Sequence, residues 1–129
     1  MNLIDVAKEA RNNSYSPYSN YKVGAALLTK SGKVYKGCNV ENSNYVSGCC
    51  AEKTAFVKAV SEGEKEFDSI AIVGDNDDVI DDFCLPCGAC RQFMSEFCNK
   101  DFKIYISNNN EIKSYTLGEL LPYSFKMGE

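Results

Sequence analysis

Cys50, Cys87 and Cys90 are the side chains in this sequence best suited to hold a metal, and Glu52 is the one placed to move a proton beside it. They lie in two short runs, Cys50-Ala51-Glu52 and Pro86-Cys87-Gly88-Ala89-Cys90. One thiolate from the first run and two from the second make a three-sulfur set for Zn²⁺. A fourth position open to water would make such a site catalytic rather than structural. Glu52, two residues past its neighbouring ligand, is the expected general acid and base.

These residues need elements that aim them at one point. Cys50 and Cys87 both fall where helices are expected to start. Unpaired N–H groups and the positive end of the helix dipole favour a thiolate there. Cys87 and Cys90 are three apart, so they share a helical face. Pro86 is tolerated at a helix start because its missing N–H loses nothing there. Three thiolates outweigh the charge of Zn²⁺. Lys53 and Arg91, which follow Glu52 and Cys90 directly, are the cations expected to offset this through hydrogen bonds to ligand sulfur.

The rest of the chain supplies alternating helices and strands. Residues 2–13 read as an amphipathic helix through Leu3, Ile4, Val6, Ala7 and Ala10. Residues 23–29 and 34–40 read as a hairpin turning at Ser31-Gly32. A polar connection over 41–49 leads to a helix over 50–62, with Ala51, Ala55, Phe56 and Ala59 inward. Strand 69–74 follows, then an acidic loop running to Leu85. A helix from Cys87 carries Phe93, Met94 and Phe97. Strands over 102–107 and 113–116 and a helical turn over 117–122 complete the order. Such alternation predicts an α/β layer architecture.

The chain has 129 residues, 44% of them apolar, which fits one compact domain over 1–129. Its net charge is −4, with no basic stripe, so a polynucleotide partner is not expected and a small uncharged substrate fits better. No segment reads as a signal peptide or a membrane span, which makes the cytoplasm the default location. Seven cysteines without a secretion signal favour metal or redox use over disulfides. Two other classes compete. Cys84, Cys87 and Cys90 form a C-x2-C-x2-C run of the kind found in iron–sulfur proteins, but Cys98 sits too far on to complete it. A structural zinc module would need Cys84 or Cys49 as a fourth ligand, since there is no histidine. Otherwise Cys38, Cys49, Cys84 and Cys98 read as small buried or half-buried fillers.

Taken in order, Ser16-Pro17-Tyr18-Ser19, Val23-Gly24-Ala25-Ala26-Leu27, Gly37-Cys38-Asn39-Val40-Glu41-Asn42, Cys50-Ala51-Glu52-Lys53-Thr54-Ala55, Pro86-Cys87-Gly88-Ala89-Cys90-Arg91-Gln92 and Leu120-Leu121-Pro122 cover nearly the whole chain. The pattern resembles the short, homotetrameric cytidine deaminases, whose zinc chemistry uses a C-A-E and P-C-x-x-C signature. The resemblance implies a three-layer α/β/α fold with a mixed five-stranded sheet and one zinc per subunit. It implies hydrolytic deamination of cytidine and deoxycytidine, as in pyrimidine salvage. Asn39 and Glu41 would hold ribose hydroxyls, the Ala51 backbone would help read the base, and Tyr21 would lie against the pyrimidine. Phe125 would close the site of a neighbouring subunit, and Tyr45 would lie near a subunit contact. Two departures stand out: Tyr21-Lys22 replaces the family's usual Phe-Pro, and Lys53 replaces its usual Arg. A blasticidin-type cytosine antibiotic is the alternative substrate on the same scaffold.

Overall fold

A computed structural model describes residues 2–75, 83–108, 110–125 and 127. Most of the expected acidic loop, residues 76–82, lies outside the described residues.

Helix α1 (Leu3–Arg11) starts at Asn2, whose side-chain oxygen accepts the Ile4 N–H at 2.9 Å. Strands β1 (Lys22–Thr29) and β2 (Val34–Cys38) form the hairpin. The polar connection contains a 3₁₀ turn (Tyr45–Ser47) before helix α2 (Ala51–Ser61). Strand β3 (Phe67–Asp75), helix α3 (Gly88–Phe97), strands β4 (Lys103–Ser107) and β5 (Ile112–Thr116), and helix α4 (Leu117–Leu120) follow. The sheet order is β2-β1-β3-β4-β5. Only β3 and β4 run parallel, so the sheet is mixed. Among the described residues no helix is long and apolar enough to cross a membrane.

Side-chain alternation along β1 and β3 divides the core in two. Ala26, Ala71 and Val73 face α1, with Ile4, Val6 and Ala7. Ala25, Leu27, Ile70 and Ile72 face the other way, against Ala51, Ala55, Phe56 and Ala59 of α2 and Cys90 and Met94 of α3. The sheet is therefore covered on both sides, which makes three layers. It also explains why β3 reads as a nearly unbroken apolar run. Phe56 sits at the centre of the larger cluster. Its ring lies 6.0 Å from Phe93 of α3 and 4.9 Å from Phe67, both edge-on. This packing fixes α2 against α3, and with them the two helix starts that matter below.

Two glycines set how closely the helices approach the sheet. A Cβ at Gly24 would lie 2.1 Å from the Ala7 carbonyl oxygen of α1, and one at Gly37 would lie 2.4 Å from Ala51 O and 2.6 Å from Ala55 N of α2. Gly37→Ala should therefore push back the first turn of α2. The expected result is a stability loss of about 1–3 kcal/mol or more, read by urea unfolding. Zinc content should fall with it, because Cys50 and Glu52 ride on that turn.

Candidate active site

Cys50 is the N-cap of α2 and Cys87 the N-cap of α3, as their positions in the sequence require. Cys90 follows one turn into α3 and is buried. The Cys50 and Cys87 sulfurs are 3.7 Å apart, and all three ligand atoms lie within 4.8 Å of one another. Tetrahedral Zn–S bonds of about 2.3 Å place two sulfurs ~3.8 Å apart. The Cys50–Cys87 spacing thus fits a shared zinc, and Cys90 lies near enough to complete the set. Neither Cys84 nor Cys49 joins the cluster, so among the described residues it has three protein ligands and no fourth. Three protein ligands with a position left for water is the arrangement of a catalytic zinc, and Cys84 and Cys49, the candidate fourth ligands of a structural zinc, stand outside it.

The thiols are not equivalent. Cys50 is lowered to about 6, chiefly by a hydrogen bond from Cys90 and further by Cys87 and the Lys53 charge. Cys90 is raised by the same bond and by burial. The neighbouring thiols thus favour Cys50 over Cys90 as a thiolate. Glu52 is 4% exposed, and that burial lifts its carboxyl to about 7, with the Cys50 charge adding to the rise.

A cavity of about 390 Å³ opens in front of these groups. That is large enough for a small organic ligand. Cys50, Ala51, Glu52 and Cys87 line its metal end; Asn39, Glu41, Tyr18 and Tyr45 line its outer part. Glu41 is held ready by its surroundings. One carboxylate oxygen accepts the Tyr18 and Ser19 N–H groups at 3.0 and 3.1 Å, and the other accepts the Ser19 hydroxyl. The Ser19 hydroxyl is the main reason its pKa lies below the ordinary carboxylate value. Asn39 is braced as well. Its oxygen accepts Val23 N–H at 2.9 Å and the Ser14 hydroxyl, while its nitrogen donates to Tyr21 O at 2.8 Å.

Tyr21, Arg91, Lys53 and Cys49 are placed differently from expectation. Tyr21 does not line the cavity; its ring packs against the core, and its hydroxyl donates to Gly74 O at 3.2 Å. The hydroxyl that distinguishes it from phenylalanine has found a partner in the sheet. Arg91 donates to the carbonyls of Pro86 and Leu120 rather than to sulfur. Lys53 is exposed, with its ammonium 5.9 Å from the centre of the Phe93 ring, and it reaches the cluster through its charge on Cys50. Cys49 is exposed on the cavity wall rather than a filler; Cys38, Cys84 and Cys98 are half-buried, and Cys84 also lines the cavity. Phe125 lies outside the cavity, 69% exposed, with its carbonyl accepting from Gln92 at 2.9 Å. Tyr18 and Ser19 orient Glu41, a role that sequence reasoning on metal-ligating and acid–base residue types misses. The Ser-Pro-Tyr-Ser run that contains them was the available signal.

The family model of the cytidine and deoxycytidylate deaminase zinc-binding region matches residues 1–106. The chain belongs to this family. A cytidine deaminase from Sporosarcina psychrophila is 47% identical over 124 residues, spanning 95% of this chain and 88% of that protein. A crystal structure of cytidine deaminase from Burkholderia pseudomallei superposes with a TM-score of 0.87 at 44% identity, covering 95% of this chain and 96% of that one. A blasticidin-S deaminase from Bacillus cereus is 32% identical over 129 residues, spanning 97% of this chain and 91% of that protein. Within the zinc deaminase family, the three-sulfur cluster and the cavity beside it are the parts of this chain that the shared chemistry requires.

Proposed function

We propose that the chain catalyses zinc-dependent hydrolytic deamination of cytidine, and of deoxycytidine, to the uridine product and ammonia. The observation that carries this reading is a buried carboxyl, Glu52, on the wall of a nucleoside-sized cavity beside a three-sulfur metal cluster. Cys50, Cys87 and Cys90 would hold the ion. Zinc, when bound, supplies the Lewis acidity that makes water nucleophilic near neutral pH. Glu52 takes the proton of the attacking water and passes it to the ring nitrogen beside the amino-bearing carbon. It then takes the proton of the hydroxyl newly joined to that carbon and gives it to the amine, which leaves as ammonia as the carbonyl forms. A carboxyl lifted to about 7 can accept and donate at physiological pH.

Glu41 and Asn39 would receive the sugar. Glu41 is ionised and oriented before any ligand arrives, and it can accept from a hydroxyl. Asn39 uses one amide N–H on Tyr21 O, which leaves the second for a sugar oxygen. The Ala51 backbone, at the first turn of α2, is placed for the base. The charged groups on the cavity wall are Glu41 and Glu52, and among the described residues no Lys or Arg lines it. A nucleoside is thus favoured over a nucleotide. Turnover of cytidine 5′-monophosphate should be lower than that of cytidine by about 10²-fold or more in kcat/KM, since a phosphate would be brought in against carboxylates without a cation. Comparable turnover of the two would contradict the assignment. A blasticidin-type antibiotic belongs in the same comparison; the higher identity to a named cytidine deaminase favours cytidine.

Lys53 tunes the sulfurs by charge alone. Lys53→Arg should leave kcat similar or raise it, because a guanidinium keeps the charge and adds a planar fork. A large fall would assign lysine a role of its own. By likeness to the short cytidine deaminases, the chain acts in the cytoplasm as a homotetramer, one domain per subunit over 1–129. Phe125 of each subunit would close a neighbour's cavity. Its exposure, outside the lining of its own cavity, suits that role.

A further inference from the structure

Cys87 follows a stretch of chain that is packed through Pro86, Phe83 and Cys84 but has few backbone hydrogen bonds to set its course. Residues 83–87 form neither helix nor strand. Among the described residues, the backbone carbonyls of 83–86 receive one hydrogen bond from an N–H group, from Arg91 Nε to Pro86 O at 2.8 Å. The same guanidinium donates through Nη1 to Leu120 O at 2.9 Å. Leu120 is the last residue of α4, where a carbonyl has no partner within the helix. That end of the chain is firmly seated: Leu117 is buried, its N–H donates to Phe102 O at 2.9 Å, and Thr116 with Glu119 closes a capping box. Gln92, the next residue, adds a second tie by donating to Phe125 O at 2.9 Å.

We propose that Arg91 is a positioning residue for the metal ligand Cys87, acting as a clamp that joins the Pro86 carbonyl to the seated end of α4. The proposal rests on the reading of Cys87 as a zinc ligand. A guanidinium carries donors on separate nitrogens in one rigid plane, so it can serve two carbonyls at once. A lysine ammonium keeps the charge but donates from a single atom and cannot bridge them in the same way. Arg91→Lys therefore separates a clamp from a merely electrostatic role.

The test is zinc affinity of the full chain, measured by competition with a chromogenic zinc chelator. Arg91→Lys should bind zinc about 10–100-fold more weakly than the parent, the usual cost of losing a group that supports a ligand. The circular dichroism of the two metal-free proteins should coincide. Unchanged zinc affinity in Arg91→Lys would overturn the proposal. If that variant does not fold, the parent protein still decides. The chain has two arginines, Arg11 and Arg91, so their Nε–H signals can be separated by nuclear magnetic resonance. The Arg91 Nε–H should exchange slowly with solvent; exchange at the rate of a free arginine would overturn the clamp. Failure of the ligand reading would show separately, as zinc retained by Cys87→Ala, and would take the proposal with it.

Discussion

Glu52→Gln is expected to keep the fold and the zinc while losing about 10²–10⁴-fold in kcat, the share that a positioned acid and base contributes. Gln is isosteric and still fills the buried position on α2, so packing against the core is preserved. It can donate and accept hydrogen bonds but cannot carry a proton from water to the ring nitrogen. Substrate affinity should change far less than turnover, because Asn39 and Glu41 hold the other end of the cavity. The measurement is steady-state kinetics on cytidine, with zinc content and circular dichroism taken on the same samples. A variant with near-parental kcat would remove Glu52 from the mechanism.

Cys87→Ala is expected to fail differently, losing metal and stability together. The cluster has three sulfurs and no protein substitute within reach among the described residues. Zinc binds the folded chain and not the preformed site of an unfolded one, so binding and folding are coupled. Metal present at a thousand times its Kd stabilises by about 4 kcal/mol. The variant should lose stability of that order, and adding zinc should no longer raise the parent-like melting temperature. Zinc by atomic absorption, together with thermal unfolding with and without a chelator, checks both halves. Stoichiometric zinc in Cys87→Ala would show that the ligand set is wrong.

Much of the site was legible because its parts are local. Cys50-Ala51-Glu52 and Pro86-Cys87-x-x-Cys90 each span a single helix start, and helix starts follow from apolar spacing and punctuation. The element order was legible for the same reason; β3 simply runs longer than the apolar core of Ser69 to Gly74, to Phe67–Asp75. What the sequence left open depends on contacts between distant residues. The hydroxyl of Tyr21 is drawn to a carbonyl 53 residues away, which turns it from the expected place. Arg91 finds Leu120, 29 residues on, in preference to the adjacent sulfurs. Cys49 and Cys50 are neighbours in the chain and both line the cavity, yet only Cys50 joins the metal cluster. Only the turn from the polar connection into α2 decides between them.

The most direct measurement is the ultraviolet absorbance of cytidine mixed with zinc-loaded protein, followed with ammonia release. The account predicts a fall that matches conversion to uridine, with one ammonia for each cytidine consumed. Unchanged absorbance from a folded, zinc-loaded chain would contradict it.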